Sequence, residues 1–294
     1  MEPEIHNQSI VKNIQNLTHK KNVILTNRCN DAIISSFSYY CGKNCAKKNR
    51  DKSLKLLIQD QGGWLLYPKL AKKFNLDLVK LQTIHGRINI GELKKYTNSI
   101  LIINSMPGYS YDEDMNKIAK VCKLNNIFLV NDCCGSIGSD NAKYGDIIVC
   151  SFRNDKPLCF GRGGFFATNI DEKDFNKVLN ISKINISREK ICFVNSAQEN
   201  INIDEMNKSF NNLSQRIAKV KKISEKVKYE LKEYDILNKG NQGINVLTKY
   251  RNDDEKERLI NYCRRNNFEF TQCPRYIRTN EEALSIELKR LIKN

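Results

Sequence analysis

The sequence predicts an α/β fold: a three-layer α/β/α domain on a mainly parallel sheet of seven strands, followed by a small C-terminal α/β domain. Two observations favour it. Through the first part of the chain, short apolar runs rich in β-branched residues alternate with polar or amphipathic stretches. The runs are apolar throughout, which is typical of parallel strands covered by helices on both faces. After about residue 180 a longer helical periodicity replaces this alternation and indicates a second unit.

Seven apolar runs are predicted to be the strands of the large sheet. They are NVILT (22–26), LKLLIQD (54–60), LDLVKLQ (76–82), ILIINS (100–105), IFLVND (127–132), IIVCSF (147–152) and GFFATN (164–169). The seventh run follows a tight Gly-x-Gly-Gly turn, so we expect it to run antiparallel to the others. Helices are predicted at 29–40 and 111–126. The second of these opens with acidic residues and closes with lysine, in agreement with the helix macrodipole.

One long amphipathic helix is predicted from Ile203 to Leu231, because apolar residues recur there every three or four positions. A strand, a helix, a strand and a final helix are predicted beyond it, at 243–250, 253–267, 268–273 and 280–293. These elements form the small α/β domain. We therefore place the two domains at 1–180 and 181–294.

The composition limits the classes of ligand and partner that the chain is expected to have. The chain carries 49 Lys and Arg against 33 Asp and Glu, a net charge of +16. The lysines are spread along the chain and alternate with acidic residues on predicted helix faces, which is typical of a solvated surface. The charge leaves nucleic-acid binding open and favours a small anionic substrate or cofactor. The N-terminus lacks the apolar core of a secretory signal, and no apolar run is long enough to span a bilayer, so we expect a cytoplasmic protein with no membrane partner.

Eleven cysteines are scattered along the chain, mostly inside apolar runs, with only three histidines beside them. Cys41 and Cys45 are spaced C-x-x-x-C, and Cys133 and Cys134 are adjacent, but no pair of C-x-x-C units occurs. Metal sites that can be identified from sequence need such spacings. The cysteines are therefore predicted to be reduced core residues, and no metal site is expected.

Ligands of open α/β sheets bind beyond the C-terminal ends of the strands, so the residues just past each run are the candidates. Asp132 ends the fifth run, and a carboxylate there is costly to bury unless it is paired. It could hold the proton of a pyridinium nitrogen, or it could cap the following segment. Lys156 lies five residues after Ser151 and could form a Schiff base with an aldehyde. Alternatively, Lys156 is a solvated loop residue and Ser151 only caps a turn.

Two more strand ends complete the candidate site. Gly63 and Trp64 follow the second run, where the indole offers a flat face to a ring or is simply a core residue. Asn27 and Arg28 open the helix after the first run, where free backbone N–H groups make an anion site, unless Arg28 is only a surface residue. Phosphate, ring face, ring nitrogen and aldehyde each have a candidate partner, and together they indicate pyridoxal 5'-phosphate.

The order of these residues resembles the fold type I pyridoxal-phosphate enzymes, and specifically the sugar aminotransferase family of DegT/DnrJ type. The matching segments are LVNDCCGSIGS around Asp132 and YGDIIVCSF before the lysine. The resemblance also includes the serine-to-lysine spacing, the following Gly161, Gly163 and Gly164, the aromatic Trp64, and Gly108 ahead of a helix. It covers roughly residues 22 to 170.

The chain departs from the family pattern at several positions. Gly135 stands where the family has a His or Gln that contacts the cofactor's ring hydroxyl, and we assign the neighbouring Ser136 to the cofactor. The phosphate-binding segment TNRCND is a loose match, and Asp155 and Pro157 flank the lysine. The chain is also shorter than most family members at its C-terminal end, so it would be a divergent, short member.

The resemblance implies an aminotransferase in which Lys156 holds pyridoxal phosphate as an internal aldimine, is released by the amino donor and then shuttles a proton. Asp132 would keep the ring nitrogen protonated, and Trp64 would fix the ring plane. The family implies a homodimer with active sites at the subunit interface and a keto-sugar or sugar nucleotide as acceptor. Two alternatives remain at this stage: a pyridoxal-phosphate enzyme acting on a tRNA-linked aminoacyl group, and a non-catalytic binding or regulatory protein on the same fold.

Overall fold

The structure is a computed structural model that describes residues 2–45, 54–171, 173–176 and 203–291. In these ranges the strands are β1 (Asn22–Thr26), β2 (Lys55–Gln59), β3 (Asp77–Leu81), β4 (Thr83–Ile84), β5 (Arg87–Ile88), β6 (Ile100–Asn104), β7 (Phe128–Asp132), β8 (Ile147–Ser151), β9 (Gly164–Thr168), β10 (Val246–Lys249), β11 (Phe270–Gln272) and β12 (Ala283–Ile286). The principal helices are α1 (Glu2–Thr18), α2 (Cys29–Cys45), α3 (Tyr67–Phe74), α4 (Ile90–Leu93), α5 (Met115–Leu124), α6 (Ile203–Asn211), α7 (Leu213–Glu230) and α8 (Asp253–Arg265).

The large sheet has the order β1-β9-β8-β7-β6-β2-β3 and contains all seven predicted strands. Four pairings, β2 with β3, β2 with β6, β6 with β7 and β7 with β8, are parallel. Strand β9 is antiparallel to both β1 and β8, as predicted from its tight entry turn. The predicted fold class is therefore confirmed.

Alternate residues of each central strand enter different cores, which explains why the runs are apolar at every position. Ile102 and Val149 pack on one face, in a cluster with residues of α2 and α3. On the other face Leu101 packs with residues of α5, and Ile148 packs with residues of α1. The sheet is thus the middle of three layers, and its C-terminal edge remains free for a site.

The small C-terminal unit is built on an antiparallel sheet of order β10-β12-β11, with α7 and α8 packed on it. Its core also contains Met106 and Tyr109, which follow β6 of the large sheet. The boundary predicted between residues 180 and 181 lies outside the described residues. Within the described ranges, no helix combines the length and the apolar character needed to cross a bilayer.

Two predictions about the C-terminal part were wrong. The predicted long helix is two helices that meet at Asn212, where the Arg216 guanidinium donates to the Ser209 carbonyl in the last turn of the first helix. The predicted final helix is the strand β12 followed by a 3-10 turn at Leu288–Leu291. Strand β12 is central in its sheet and pairs on both sides, so tertiary hydrogen bonds override its helical composition.

Smaller differences arise at element ends. The helix expected from residue 111 begins at Met115, because the Asp114 carboxylate caps it by accepting a hydrogen bond from the Lys117 amide at 3.1 Å. Glu113 turns inward instead and accepts a bond from the Ile88 amide at 2.9 Å. That bond anchors the β4–β5 hairpin, which the sequence analysis missed along with α1, α3 and α4.

Gly243 lies directly against the backbone of Ser110, and this contact yields a stability prediction. A Cβ built at Gly243 would lie 2.2 Å from the Ser110 carbonyl oxygen, whereas one at Gly240 would have nothing within 4 Å. We expect Gly243→Ala to lower the free energy of unfolding by about 2 kcal/mol or more, because backbone must move to make room. Urea unfolding measures this. Gly240→Ala is the matched control, expected within about 0.5 kcal/mol of the unsubstituted chain; equal effects would contradict the contact.

Candidate active site

Strand-end residues of the large sheet converge on one cleft of about 460 Å³. The cleft lies beyond the C-terminal ends of the parallel strands and also receives side chains from the C-terminal unit. Its walls contain every predicted site residue but one: Asn27, Arg28, Gly63, Trp64, Asp132, Ser151 and Lys156. Ser136 is not among the cleft-lining residues, because its hydroxyl is buried in a 2.6 Å hydrogen bond with the Ser105 hydroxyl.

Lys156 is not a solvated loop residue, since its relative exposure is 9%. Its Nζ contacts the hydroxyl of Tyr109 and lies 3.8 Å from Oδ2 of Asp155. Burial disfavours its charge, but the side chains of Tyr109, Cys134 and Asp155 outweigh burial and raise the pKa of Lys156 above its ordinary value. The lysine is thus held in place at the cleft wall by specific contacts.

Tyr109 is a site residue that the sequence analysis missed. Lys156 Nζ lies 4.4 Å from the centroid of its ring, Lys289 Nζ 4.7 Å, and the guanidinium carbon of Arg278 5.4 Å. All three distances suit cation–π contacts. Its backbone has φ +65°, which is uncommon for a residue with a side chain, and its carbonyl accepts bonds from the amides of Ile244 and Asn245. Burial raises the pKa of Tyr109, so its hydroxyl stays protonated.

Asp155 joins two buried lysines. Its Oδ2 lies 2.6 Å from Nζ of Lys289 and 3.8 Å from Nζ of Lys156. Burial raises the pKa of the Asp155 carboxyl, but the two lysines more than offset this and lower it overall. Lys289, which was also missed, has a relative exposure of 1% and a second acidic neighbour in Glu287 at 4.0 Å. No sequence signal marks Lys289, because it lies in a region where a surface helix was predicted.

Arg278 is the third cation at the ring, and it is paired. Its guanidinium donates to both carboxylate oxygens of Glu287, at 2.6 and 2.7 Å, and both side chains are buried. This two-bond geometry fixes the plane of the guanidinium. The Tyr109 ring is therefore surrounded by three cations, and two carboxylates, Asp155 and Glu287, offset two of the three charges.

Asp132 is held by two neutral donors. Its Oδ2 accepts from the Tyr67 hydroxyl at 2.6 Å, and its Oδ1 accepts from the Cys134 amide at 3.1 Å. The segment that follows Asp132 is a turn and not a helix, and the bond from the Cys134 amide makes Asp132 a cap of that turn as well as a cleft residue. A buried carboxylate with such partners is well placed to bind a cation.

The other cleft residues form a partly basic wall. Trp64 donates from Nε1 to the Asn30 amide oxygen at 2.8 Å, which ties the indole to the first turn of α2. Arg28 pairs with Asp31 at 3.3 Å while much of its side chain stays exposed. Ser151 lines the cleft and also accepts a bond from the Arg153 amide, as expected for a turn cap. The cationic residues of the wall are Arg28, Arg153, Lys156, Arg162, Arg278, Lys289 and Arg290, against the acidic Asp132 and Asp155.

Close packing around position 135 explains why the residue there is a glycine. A Cβ there would lie 2.9 Å from Cβ of Met106 and 3.0 Å from Cδ1 of Tyr109. A histidine or glutamine at this position would therefore collide with the ring that contacts Lys156. Gly135 departs from the family pattern because the Tyr109 ring occupies the space that a larger side chain at this position would need.

Lys289 yields a pH-dependence prediction. Burial, followed by the charge of Lys156, lowers the pKa of Lys289 from 10.5 to about 8. Because its folded-state pKa is the lower one, the unfolded chain binds the extra proton between pH 8 and pH 10.5, and this residue's contribution to stability rises with pH there. The free energy of unfolding of the unsubstituted chain minus that of Lys289→Met should therefore rise by up to about 3 kcal/mol between pH 8 and pH 10.5.

Urea titrations from pH 7 upward would measure the difference between the two proteins. Lys239→Met removes an exposed lysine and serves as the control for loss of a surface charge. A difference between the unsubstituted chain and Lys289→Met that stays flat through pH 8 would show that Lys289 is not in the environment described.

The chain resembles known proteins both in sequence and in fold. The chain is 35% identical over 81 residues to GDP-perosamine synthase of Escherichia coli O157:H7, an alignment that covers 26% of this chain and 22% of that protein. A DegT DnrJ EryC1 StrS aminotransferase from Brucella abortus has a TM-score of 0.69 at 13% identity, over 99% of this chain and 89% of that one. NtdA of Bacillus subtilis, solved with bound cofactor PMP, has a TM-score of 0.69 at 16% identity, over 98% and 75% of the two chains.

At these low identities the two structural likenesses establish the fold alone. The alignment to the curated relative spans only about a fifth of that protein's length. A sequence model of the DegT/DnrJ/EryC1/StrS aminotransferase family matches residues 90–278, which is more than half of the chain. The chain therefore belongs to the DegT/DnrJ/EryC1/StrS aminotransferase family.

Proposed function

We propose that the chain is a pyridoxal-phosphate-dependent aminotransferase that uses Lys156 to hold and release the cofactor. The observation that carries this proposal is the buried Lys156 amine and the buried Asp132 carboxylate in one cleft at the strand ends. Family membership supports it, as does the bound PMP of the fold neighbour NtdA.

The residues present fit this cofactor. Asp132 is a buried carboxylate whose described hydrogen bonds come from neutral donors, so a protonated ring nitrogen would complete its environment. The phosphate would be held by the first turn of α2 and by Arg28, whose side chain stays largely exposed although it pairs with Asp31. Trp64 would cover one face of the ring, and Lys156 would meet the aldehyde. The cleft is large enough for the cofactor and part of a substrate.

Bound pyridoxal phosphate supplies an aldehyde that condenses with amines and a protonated ring that accepts electrons from a bond at the amine carbon. Asp132 Oδ would hold the proton on the ring nitrogen. Lys156 Nζ would act as general base and then general acid, accepting the proton of the donor's α-carbon and later giving it up. The Tyr109 ring and hydroxyl would keep Nζ at the cleft wall, and Asp155 would stabilise its charged form.

The proposed acceptor is a keto-sugar or sugar nucleotide. The arginines of the cleft wall, Arg28, Arg153, Arg162 and Arg290, favour a ligand with phosphate groups beyond that of the cofactor. The curated relative is named for a GDP-linked product, which agrees with a nucleotide-bearing substrate.

We also propose that the active unit is a homodimer with the cleft at the interface, as expected for this fold type. In such a dimer the half-exposed Leu65, which follows Trp64 in the chain, would be covered by the partner subunit. Sedimentation equilibrium of the purified chain tests this, and a stable monomer would contradict it.

The test of the cofactor proposal is covalent trapping. Pyridoxal phosphate added to the purified chain is expected to give a visible absorption band, and borohydride reduction followed by peptide mapping should place the label on Lys156. Lys156→Ala is expected to abolish the band and lower transamination on the order of 10³-fold, because it removes both attachment and proton transfer.

The second buried lysine provides the control. Lys289→Ala should still be labelled at Lys156, since Lys289 contacts Asp155 and not the cofactor attachment point. A chain without a band, or with the label on Lys289, would refute the assignment of Lys156.

A further inference from the structure

Two thiols and a carboxylate converge at the wall of the cleft. The sulfurs of Cys29 and Cys134 and a carboxylate oxygen of Asp132 all lie within 4.8 Å of one another. Cys29 is the first residue of α2, Asp132 is the last of β7, and Cys134 lies in the turn that follows. Because Cys29 and Cys134 are 105 residues apart in sequence, no spacing motif identifies the cluster.

The distances match those of a bound zinc ion. A Zn–S bond is about 2.3 Å long, so two sulfurs on adjacent corners of a zinc tetrahedron lie about 3.8 Å apart. The Cys29 and Cys134 sulfurs are 3.8 Å apart. The carboxylate supplies a third donor, and a fourth position faces the cleft, which all three residues line. Three protein ligands and one open position form the usual set of a zinc site that exchanges ligands.

The groups around the three donors already orient them. The Ser151 amide donates to the Cys134 sulfur at 3.1 Å. The Tyr67 hydroxyl and the Cys134 amide each donate to one oxygen of Asp132, and each oxygen keeps a second lone pair for a metal. Cys29 is held in place by the first turn of a helix of 17 residues. Hydrogen bonds of this kind to ligand atoms fix metal sites in proteins.

We propose that Cys29, Asp132 and Cys134 form a binding site for a thiophilic divalent cation of the Zn²⁺ class. Two thiolates favour such an ion over Mg²⁺ or Ca²⁺, which prefer oxygen donors. Binding releases the protons of the two thiols to solvent. Because Asp132 is also the proposed partner of the cofactor's ring nitrogen, cation and cofactor exclude each other; this consequence rests on the proposed function, whereas the cation site does not.

Calorimetric titration of Zn²⁺ into the reduced, cofactor-free chain tests the site. One ion per chain is expected to bind. Cys29→Ala and Cys134→Ala should each weaken binding at least about 100-fold, because each removes a ligand and not only an orienting group. Cys122→Ala is the matched control: it removes a buried thiol from the separate core under α5 and should leave affinity within about threefold.

Cobalt offers a second readout that needs no thermodynamic model. Co²⁺ added to the unsubstituted chain should give a thiolate-to-metal charge-transfer band, which disappears in both cysteine variants and persists in Cys122→Ala. If Zn²⁺ and Co²⁺ do not bind, or bind Cys29→Ala and Cys134→Ala as tightly as the unsubstituted chain, the proposed site is wrong.

Measuring cofactor attachment as well as Zn²⁺ binding distinguishes a failure of the cation site from a failure of the proposed function. Cys134→Ala keeps the backbone amide that donates to Asp132, so this variant should still attach pyridoxal phosphate to Lys156, and Zn²⁺ should no longer block attachment. If Zn²⁺ binds with the expected variant pattern but no cofactor attaches to any chain, the cation site stands and the proposed function falls. If the cofactor attaches and Zn²⁺ neither binds nor competes, the cation site falls and the function stands.

Discussion

The contact between the Tyr109 ring and the cations around it is the constraint on which the site depends. Lys156, Lys289 and Arg278 all face this one ring. Three buried cations so close together would repel each other strongly in a medium that water does not screen. The ring face and the carboxylates Asp155 and Glu287 offset that repulsion. Lys156 is therefore held at the cleft wall within a group of charges that stabilise one another.

This arrangement also connects the two units of the chain. Tyr109 follows β6 of the large sheet, whereas Lys289 and Arg278 flank β12 of the small one. The Tyr109 carbonyl receives two amide bonds from the segment before β10, and its ring packs in the core of the small unit. The C-terminal unit thus completes the site, and the space taken by Tyr109 and Met106 leaves room only for glycine at 135.

Sequence reasoning located the part of the site that lies at strand ends, because a parallel sheet brings the C-terminal ends of its strands to one edge. Asp132 and Lys156 could be found this way, and so could the seven strands. Tyr109 could not, because its position depends on an uncommon backbone conformation and on packing against the C-terminal unit. Lys289 was assigned to a helix because its segment has helical composition, which the pairing of β12 on both sides overrides. The Cys29–Cys134 contact joins distant segments and leaves no local pattern.

The most direct test of this account is a double-mutant cycle between Tyr109 and Lys289, read as free energies of unfolding. Tyr109→Leu removes the ring face, and Lys289→Met removes one cation while keeping an apolar stem. If the ring binds the cation, the two effects are not additive, and the coupling is at least about 1 kcal/mol in a buried setting. Tyr109→Leu combined with the exposed Lys239→Met should be additive. Additivity in the first pair, within about 0.3 kcal/mol, would contradict the account.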